Sequence, residues 1–286
     1  MAMTSPGGEA YDYTAVGHVT IDVLPDGSRR PGGSAFYAAL QAARLGARAL
    51  IVTQGVPAEI EALIEPFEGE VELEIHRAPQ TTTLQTTGWG GERRQRMLAW
   101  AGPMKQPVGV KSSILHLAPI ARETPASVGG AVEFIGLTPQ GLVREWSTGG
   151  EISLIAPSPS PPALTPRCCD ALVLSDRERP ACDSLIVQAL ERGAIAAVTA
   201  QEEPTRILGA GEEERELEVP MIDHPRDDLG AGDVFAAAFF LALHEGRPPL
   251  EAADFAHAAA AVRVSGEGAS GIGSLAEVEA RQRAVA

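Results

Sequence analysis

Asp227–Gly246, DDLGAGDVFAAAFFLALHEG, sets three carboxylates and two glycines ahead of a run from Val234 to Leu243 that carries no charge. Leu229-Gly230-Ala231-Gly232-Asp233 reads as a turn feeding a helix. Glycine lets the backbone take positive φ and lets a ligand approach the main chain closely. The first amides of a helix have no intrahelical acceptor and lie at the positive end of the dipole. Together these features make a site for a phosphate, or for the charge that develops on one in transit. Asp233 ends the turn, within reach of a group attacking that phosphorus. A carboxylate there can take the proton of a substrate hydroxyl as phosphoryl transfer proceeds. The helix behind it is apolar nearly all round, which predicts a central, buried element and a rigid mount. Taken alone, the same residues also fit a capped helix after a tight turn. No Gly-Lys-Ser/Thr follows the turn, and no G-x-G-x-x-G follows the first strand, so two familiar nucleotide fingerprints are excluded.

Outward from that stretch the pattern alternates between strand and helix. YTAVGHVTIDVL, Tyr13 to Leu24, alternates like a strand, and SAFYAALQAARLG follows as an Ala-rich helix stopped at Gly46. ARALIVTQGV, SSILHLAPI, AVEFIGLTP, CDALVLSDRE and GAIAAVTAQ are short apolar runs ending in polar or turn residues. RPACDSLIVQALERG, between the last two, is an amphipathic helix. Such alternation predicts βαβ units and a mostly parallel sheet covered on both faces, with ligands at the C-terminal strand ends. Thr81 to Gly102 reads as two antiparallel strands joined at Gly90-Gly91, an edge hairpin that leans over the site. APSPSPPALTP, Ala156 to Pro166, is an extended connector and not a boundary, because strand signals resume at once. One domain over 1–286 is expected, with small lid elements near 22–32 and 81–102.

The totals narrow the function. A chain of 286 residues with 44% apolar and 21% charged residues suits one large globular domain. Its net charge of −15 argues against nucleic acid or an anionic membrane as partner, so any phosphate must be met by backbone donors and a few placed cations. No window approaches the roughly 18 apolar residues of a membrane span, and the first residues lack the basic and apolar regions of a secretory leader. A cytoplasmic protein is expected. Three cysteines, Cys168 and Cys169 adjacent, make neither a disulfide framework nor a metal knuckle, and the six histidines form no ligand pair.

DDLGAGDVFAAAFFLAL resembles the C-terminal signature of the ribokinase-like (PfkB) carbohydrate kinases, D-x-x-G-A-G-D followed by an apolar helix. RRPGGSAFYAALQAARLGA, Arg29 to Ala47, resembles their N-terminal signature, a double glycine before an Ala-rich helix ending in Arg-Leu-Gly. The resemblance implies a three-layer αβα sandwich with a mostly parallel central sheet. It also implies transfer of the γ-phosphoryl of ATP to a hydroxyl of a sugar, polyol or nucleoside, with Mg²⁺, and it leaves a potassium ion open. By motif, Asp233 would be the catalytic base, and the amides of Gly230, Ala231 and Gly232 the anion hole. Asp22 would hold substrate hydroxyls, as would the backbone at Gly32 and Gly33. Glu178, in LSDRE, matches the acid of an Asn-x-x-Glu motif and would act on magnesium through water, while Ser175 departs from that motif.

VTAQEEPTRIL resembles the family's Val-Thr-x-Gly-x-x-Gly stretch beside the nucleotide, with Gln201 and Pro204 in place of its glycines. HAAAAVRVSGEGASGIG resembles the segment that closes over adenine. Thr199, Gln201, Asp227, Ala258, Ala261 and Gly266 are the nucleotide-side residues so implied. Tyr37 stands where many members have an Asn that contacts the sugar, which suggests a ring face packed against substrate, or a different hydroxyl pattern. Arg144, in GLTPQGLVREW, is a candidate cation, and Arg93, Arg94 and Arg96 could serve the same end from the hairpin. The segment between Asp22 and Gly32 is short, so a reduced β lid is expected, and a monomer, or a dimer not formed through a large lid. The acceptor favoured is a sugar or inositol-like polyol. The alternatives are a nucleoside kinase, or a non-catalytic nucleotide- or sugar-binding protein on a degenerate kinase scaffold.

Overall fold

The computed structural model describes residues 10–125, 127–160 and 169–285. Cys168, the end of the Pro/Ser connector and the first nine residues lie outside them. In chain order the elements begin with β1 (Tyr11–Val16), β2 (Thr20–Val23), β3 (Arg29–Gly32), α1 (Ser34–Arg44), β4 (Ala49–Gly55), α2 (Pro57–Ile64) and β5 (Val71–Arg77). Then come β6 (Thr83–Thr87), β7 (Arg94–Ala99), β8 (Val108–Leu117), β9 (Val128–Leu137), β10 (Arg144–Trp146) and β11 (Ile152–Leu154). The C-terminal part holds β12 (Ala171–Ser175), α3 (Arg179–Leu190), β13 (Ile195–Ala200), β14 (Glu203–Leu208), β15 (Arg215–Leu217), α4 (Ala231–His244), α5 (Pro249–Ser265) and α6 (Leu275–Val285).

Nine strands form the main sheet in the order β15-β14-β13-β12-β9-β8-β1-β4-β5. Pairing is parallel from β13 through β5 and antiparallel only at β14 and β15. Strand residues alternate between two apolar layers, as a doubly covered sheet requires. Tyr13, Ala15, Ile51, Val173 and Ala197 face α1, α4 and α5. Val16, Leu50, Val52, Leu172, Leu174 and Val198 face α3 and the loops around Met104 and Leu142. α4 lies deepest, with Phe235, Phe239 and Phe240 buried. Each such ring contributes about 1.5–3 kcal/mol by leaving water. Gly136 is bare because Phe240 lies on it: a Cβ there would meet the ring at 2.4 Å.

Two expectations change in detail. The predicted strand Tyr13–Leu24 is two strands in two sheets, broken at Gly17-His18-Val19. A Cβ on Gly17 would stand 2.2 Å from the Ala118 carbonyl, so the chain leaves the main sheet there by close backbone approach. The Thr81–Gly102 hairpin does form, but not at the edge of the main sheet. With β2 and β3 it builds a separate four-stranded lid in the order β3-β2-β6-β7, where β6 runs parallel to β2. The lid is small, with β2 and β3 of four residues each and no strand longer than six. Leu84 and Met97 pack with Ile120 and Ala121 as its own apolar cluster. The β10–β11 hairpin joins it through the Met97 amide, which donates to the Gly150 carbonyl at 2.7 Å. No helix among the described residues is long and apolar enough to cross a membrane.

Candidate active site

The lid meets the main sheet over a cavity of about 110 Å³ whose walls include Asp22, Gly33, Ser34, Arg93, Gln95, Arg144, Gly232 and Asp233. The two signatures at opposite ends of the chain therefore come together. Asp22 lies on β2, buried, and its carboxylate accepts a hydrogen bond from the Thr20 hydroxyl at 2.8 Å. Burial pushes it up to about 6, although Thr20, Arg30, Arg144 and Arg93 all pull it down. The double glycine has two separate reasons. A Cβ on Gly32 would lie 2.2 Å from the Asp22 carboxylate, and Gly33 has φ +93° with the His18 carbonyl 2.2 Å from where its Cβ would stand.

Asp233 sits in the first turn of α4, half-buried. Burial raises its carboxyl to about 6; the Glu178 charge pushes the same way, while the Ser34 hydroxyl, Arg144 and Arg93 oppose it. Gly230 caps the helix in the left-handed region at φ +81°, and a Cβ there would stand 2.4 Å from the Tyr37 ring. Of the amides expected to form an anion hole, those of Gly230, Ala231 and Gly232, one is engaged within the turn. The Ala231 amide turns toward the Asp228 carbonyl at 3.3 Å, so the open helix end is carried by Gly232 and Asp233.

Tyr37 is buried at the cavity wall, its hydroxyl without a hydrogen-bond partner among the described residues. Its ring borders the cavity, but its face is taken by Gly230 on one side, and the Arg263 guanidinium lies 5.5 Å from its centroid. It backs the turn and offers no open ring face to a substrate. Arg144 is buried at the cavity wall, where it donates to the Ile120 carbonyl at 3.2 Å and the Gln95 amide oxygen at 2.8 Å. Of the hairpin arginines only Arg93 enters the cavity wall; Arg94 is exposed and Arg96 donates to the Gly149 carbonyl.

Asp227, expected on the nucleotide side, is engaged by four donors within the protein. Its carboxylate accepts from Arg30 at 2.9 Å, Arg263 at 3.1 Å, and the Leu229 and Gly268 amides at 3.0 Å each. Burial alone would raise it, but these partners outweigh burial and hold it at about 2. Asp228 latches the lid instead: it accepts from the Gly90 amide at 3.1 Å and is paired with Arg93. Ala258 and Ala261 are buried in the helical layer, and Gly266 is packed against Gly271, 2.5 Å from the Gly271 Cα if it carried a Cβ. Thr199 closes β13 with its hydroxyl 3.4 Å from the Leu174 carbonyl, and Gln201 forms the β13–β14 turn at φ +58°.

Glu178 is buried before α3, where one carboxylate oxygen accepts from the Ser175 amide at 2.8 Å and the other stays available. No group of three or more His, Cys, Asp or Glu that could hold a metal exists among the described residues. A magnesium ion, which binds through one or two carboxylates plus substrate phosphates and water, fits Glu178 on those terms. Glu123 carried no motif and was missed: fully buried, it accepts from the His18, Ile120 and Ala121 amides and so fixes the loop that floors the cavity. A second concavity, lined by Leu217, Arg247, Leu250, Glu251, Asp254 and Gln282, lies away from both signature stretches.

Comparison with known proteins bears on the fold. The family model described as pfkB family carbohydrate kinase matches residues 176–274, the part that carries Glu178, Asp227 and Asp233. The chain carries the PfkB signature on a ribokinase-like fold. The nucleoside kinase of Methanocaldococcus jannaschii, an archaeal member of the ribokinase family, superposes with a TM-score of 0.70 at 16% identity over 97% of this chain and 100% of that one. A ribokinase of Arabidopsis thaliana complexed with ribose and ATP gives 0.68 at 15% identity over 96% and 99%. A pyrophosphate-dependent kinase of the ribokinase family, complexed with a pyrophosphate analog and myo-inositol, gives 0.68 at 19% identity over 94% and 99%. At these identities the likeness establishes the ribokinase-like fold. Comparison with curated protein sequences gives no match.

Proposed function

We propose that the protein is a kinase that moves the terminal phosphoryl of ATP to a hydroxyl of a small sugar or inositol-like polyol. The observation that carries this reading is the pairing of Asp22 and Asp233 in one cavity beside the open N-terminus of α4. Asp22 accepts hydrogen bonds from acceptor hydroxyls and orients them, a task suited to a carboxylate with free lone pairs. Asp233 takes the proton of the attacking hydroxyl. With its carboxyl at about 6, Asp233 is ionised at neutral pH yet basic enough to pull on that proton. The Gly232 and Asp233 amides and the Arg144 and Arg93 guanidiniums face the charge that gathers on the transferred group. Magnesium, held through Glu178 and water, would shield the donor phosphates.

A polyol is favoured over a nucleoside acceptor because the Tyr37 ring is covered and the cavity offers polar walls where a base would need a platform. A degenerate binding scaffold fits less well, since Asp233 keeps both its place in the helix turn and a basicity suited to proton transfer. A second donor reading has its own support. Ala258 and Ala261 face the interior and Gly266 is closed on Gly271, so inorganic pyrophosphate, the donor of one structural neighbour, needs fewer changes than an adenine would.

The test is transfer from Mg-ATP and from Mg-pyrophosphate to a panel of sugars, polyols and nucleosides, read as ADP or phosphate release. Transfer to a sugar or polyol, lost in Asp233→Asn, is expected; Asp22→Ala should raise the acceptor KM more than it lowers kcat. Donor binding with no transfer to any acceptor would overturn the kinase reading.

A further inference from the structure

Behind the anion-hole turn lies a fully buried guanidinium that the phosphoryl-transfer scheme has not used. Arg263, on α5, is 0% exposed. Its Nη1 donates to the Asp227 carbonyl at 3.1 Å, and its Nη2 donates to the Asp227 carboxylate at 3.1 Å and the Leu229 carbonyl at 2.6 Å. Two main-chain carbonyls and a carboxylate that converge on one buried point are the ligand set of a hard cation. Here the point is filled by a side chain of the protein itself. The same guanidinium lies over the Tyr37 ring, against which Gly230 also packs. Arg263 therefore holds both ends of the Asp227–Leu229 segment and, through the ring, the left-handed residue that starts α4. Those contacts decide where the Gly232 and Asp233 amides point.

We propose that Arg263 is the resident cation of the anion-hole turn, a positioning residue whose guanidinium fills the oxygen-lined place open to a potassium ion, so that the protein works without a monovalent metal. The potassium ion that the resemblance leaves open has no free ligands in this turn: the Asp227 carboxylate also carries Arg30 and two amides. An arginine cannot lose its charge at any physiological pH, and its fork satisfies three acceptors in fixed geometry. The consequence for catalysis rests on the kinase reading. The filling of the cation place does not.

Two measurements on the full chain test this, in potassium, sodium or choline chloride at equal ionic strength. The first is thermal unfolding, which needs no substrate; the second is transfer to whichever acceptor the panel yields. The wild type is expected to show the same Tm and the same kcat in all three salts. Arg263→Ala should have a lower Tm and a kcat down by about a hundredfold or more at little change in acceptor KM, the order expected for misaimed transition-state donors. Its vacated oxygens should then take potassium, so that potassium chloride, or millimolar methylguanidinium, raises its Tm above the choline value and restores part of kcat.

A wild-type Tm or kcat that rises selectively in potassium would overturn the proposal, as would Arg263→Ala with wild-type kcat in choline. If Arg263→Ala does not fold, Arg263→Lys is expected to fold and to stay indifferent to potassium, and a selective potassium response in that variant would overturn it equally. A wild type that transfers to no acceptor would sink the kinase reading alone, because the unfolding arm still reads the cation site.

Discussion

Asp22 is buried with the Thr20 hydroxyl as its one hydrogen-bond donor and Asp233 is half-buried near the Ser34 hydroxyl, whereas Asp227, six residues before Asp233, gathers two guanidiniums and two amides. The first two are pushed up to about 6, and the third is held at about 2. All three border the same turn and lid, and all three belong to one short set of motif acids. The difference teaches that residue type and motif position do not decide whether a carboxylate reacts or anchors; the number of donors around it does. A carboxylate starved of partners is costly to keep ionised and keen to accept a proton. A saturated one is inert and holds the structure.

The largest effect that could break this contrast is on Asp233. Asp233→Asn should lower kcat by roughly 10²–10⁴-fold, the range for loss of a general base, while Tm stays level or rises because a poorly solvated charge is removed. Retained turnover with an unchanged pH profile would move the base elsewhere. Asp227→Ala should do the opposite. It leaves the fully buried Arg263 without its counter-charge, a loss of about 3–5 kcal/mol by analogy with broken buried pairs. Denaturant unfolding would show it as a fall in midpoint, and an unchanged midpoint would refute the anchoring role.

The contrast has a pH signature of opposite sign at the two sites. Asp22 and Asp233 have folded values near 6 against an ordinary 3.8, so between those limits the folded state binds more protons, and their contribution makes stability fall as pH rises through that window. Asp227 has a folded value near 2, so its contribution is present above pH 4 and is lost as pH falls toward 2. Unfolding midpoints compared between wild type and Asp22→Asn should converge as pH drops from about 7 to 4, with the variant the more stable at pH 7. Activity should run the other way and fall below about pH 6 as Asp233 takes up its proton. A pH-independent difference between the two proteins would mean that Asp22 is not held in a desolvated state.

Much of this was legible in the chain. The uncharged run after Asp233 announced a buried helix, and the order of apolar runs announced the parallel sheet. The double glycine and the D-x-x-G-A-G-D stretch located both halves of the cavity. What stayed hidden needed distances across the fold. Gly17 breaks the first strand because Ala118 packs on its backbone, a contact between residues a hundred positions apart. Glu123 has no motif, and only its burial among three amides reveals it. Arg263 reads in sequence as the basic end of an Ala-rich helix; nothing local says that it points inward at Asp227. Ala258 and Ala261 read two ways in the chain, since small residues suit both a ligand face and a helix contact; in the fold both are buried in the helical layer.

The smallest expected effect is also the sharpest comparison, because it concerns the next residue in the chain. Asp228 pairs with Arg93 and the Gly90 amide across the lid, with both side chains about a quarter exposed. Water and salt screen such a pair, and its net contribution is about 0–1 kcal/mol. Asp228→Ala should therefore move the unfolding midpoint far less than Asp227→Ala, and the small shift should shrink further in high salt. Its effect should appear in binding: with the latch removed, the lid tip at Gly90 is freed and Arg93 loses a competing carboxylate. Donor KM should then change by a few-fold while the fold stays intact. A midpoint loss as large as that of Asp227→Ala would mean that the lid is part of the folding core, and the division between anchoring and latching acids would fail.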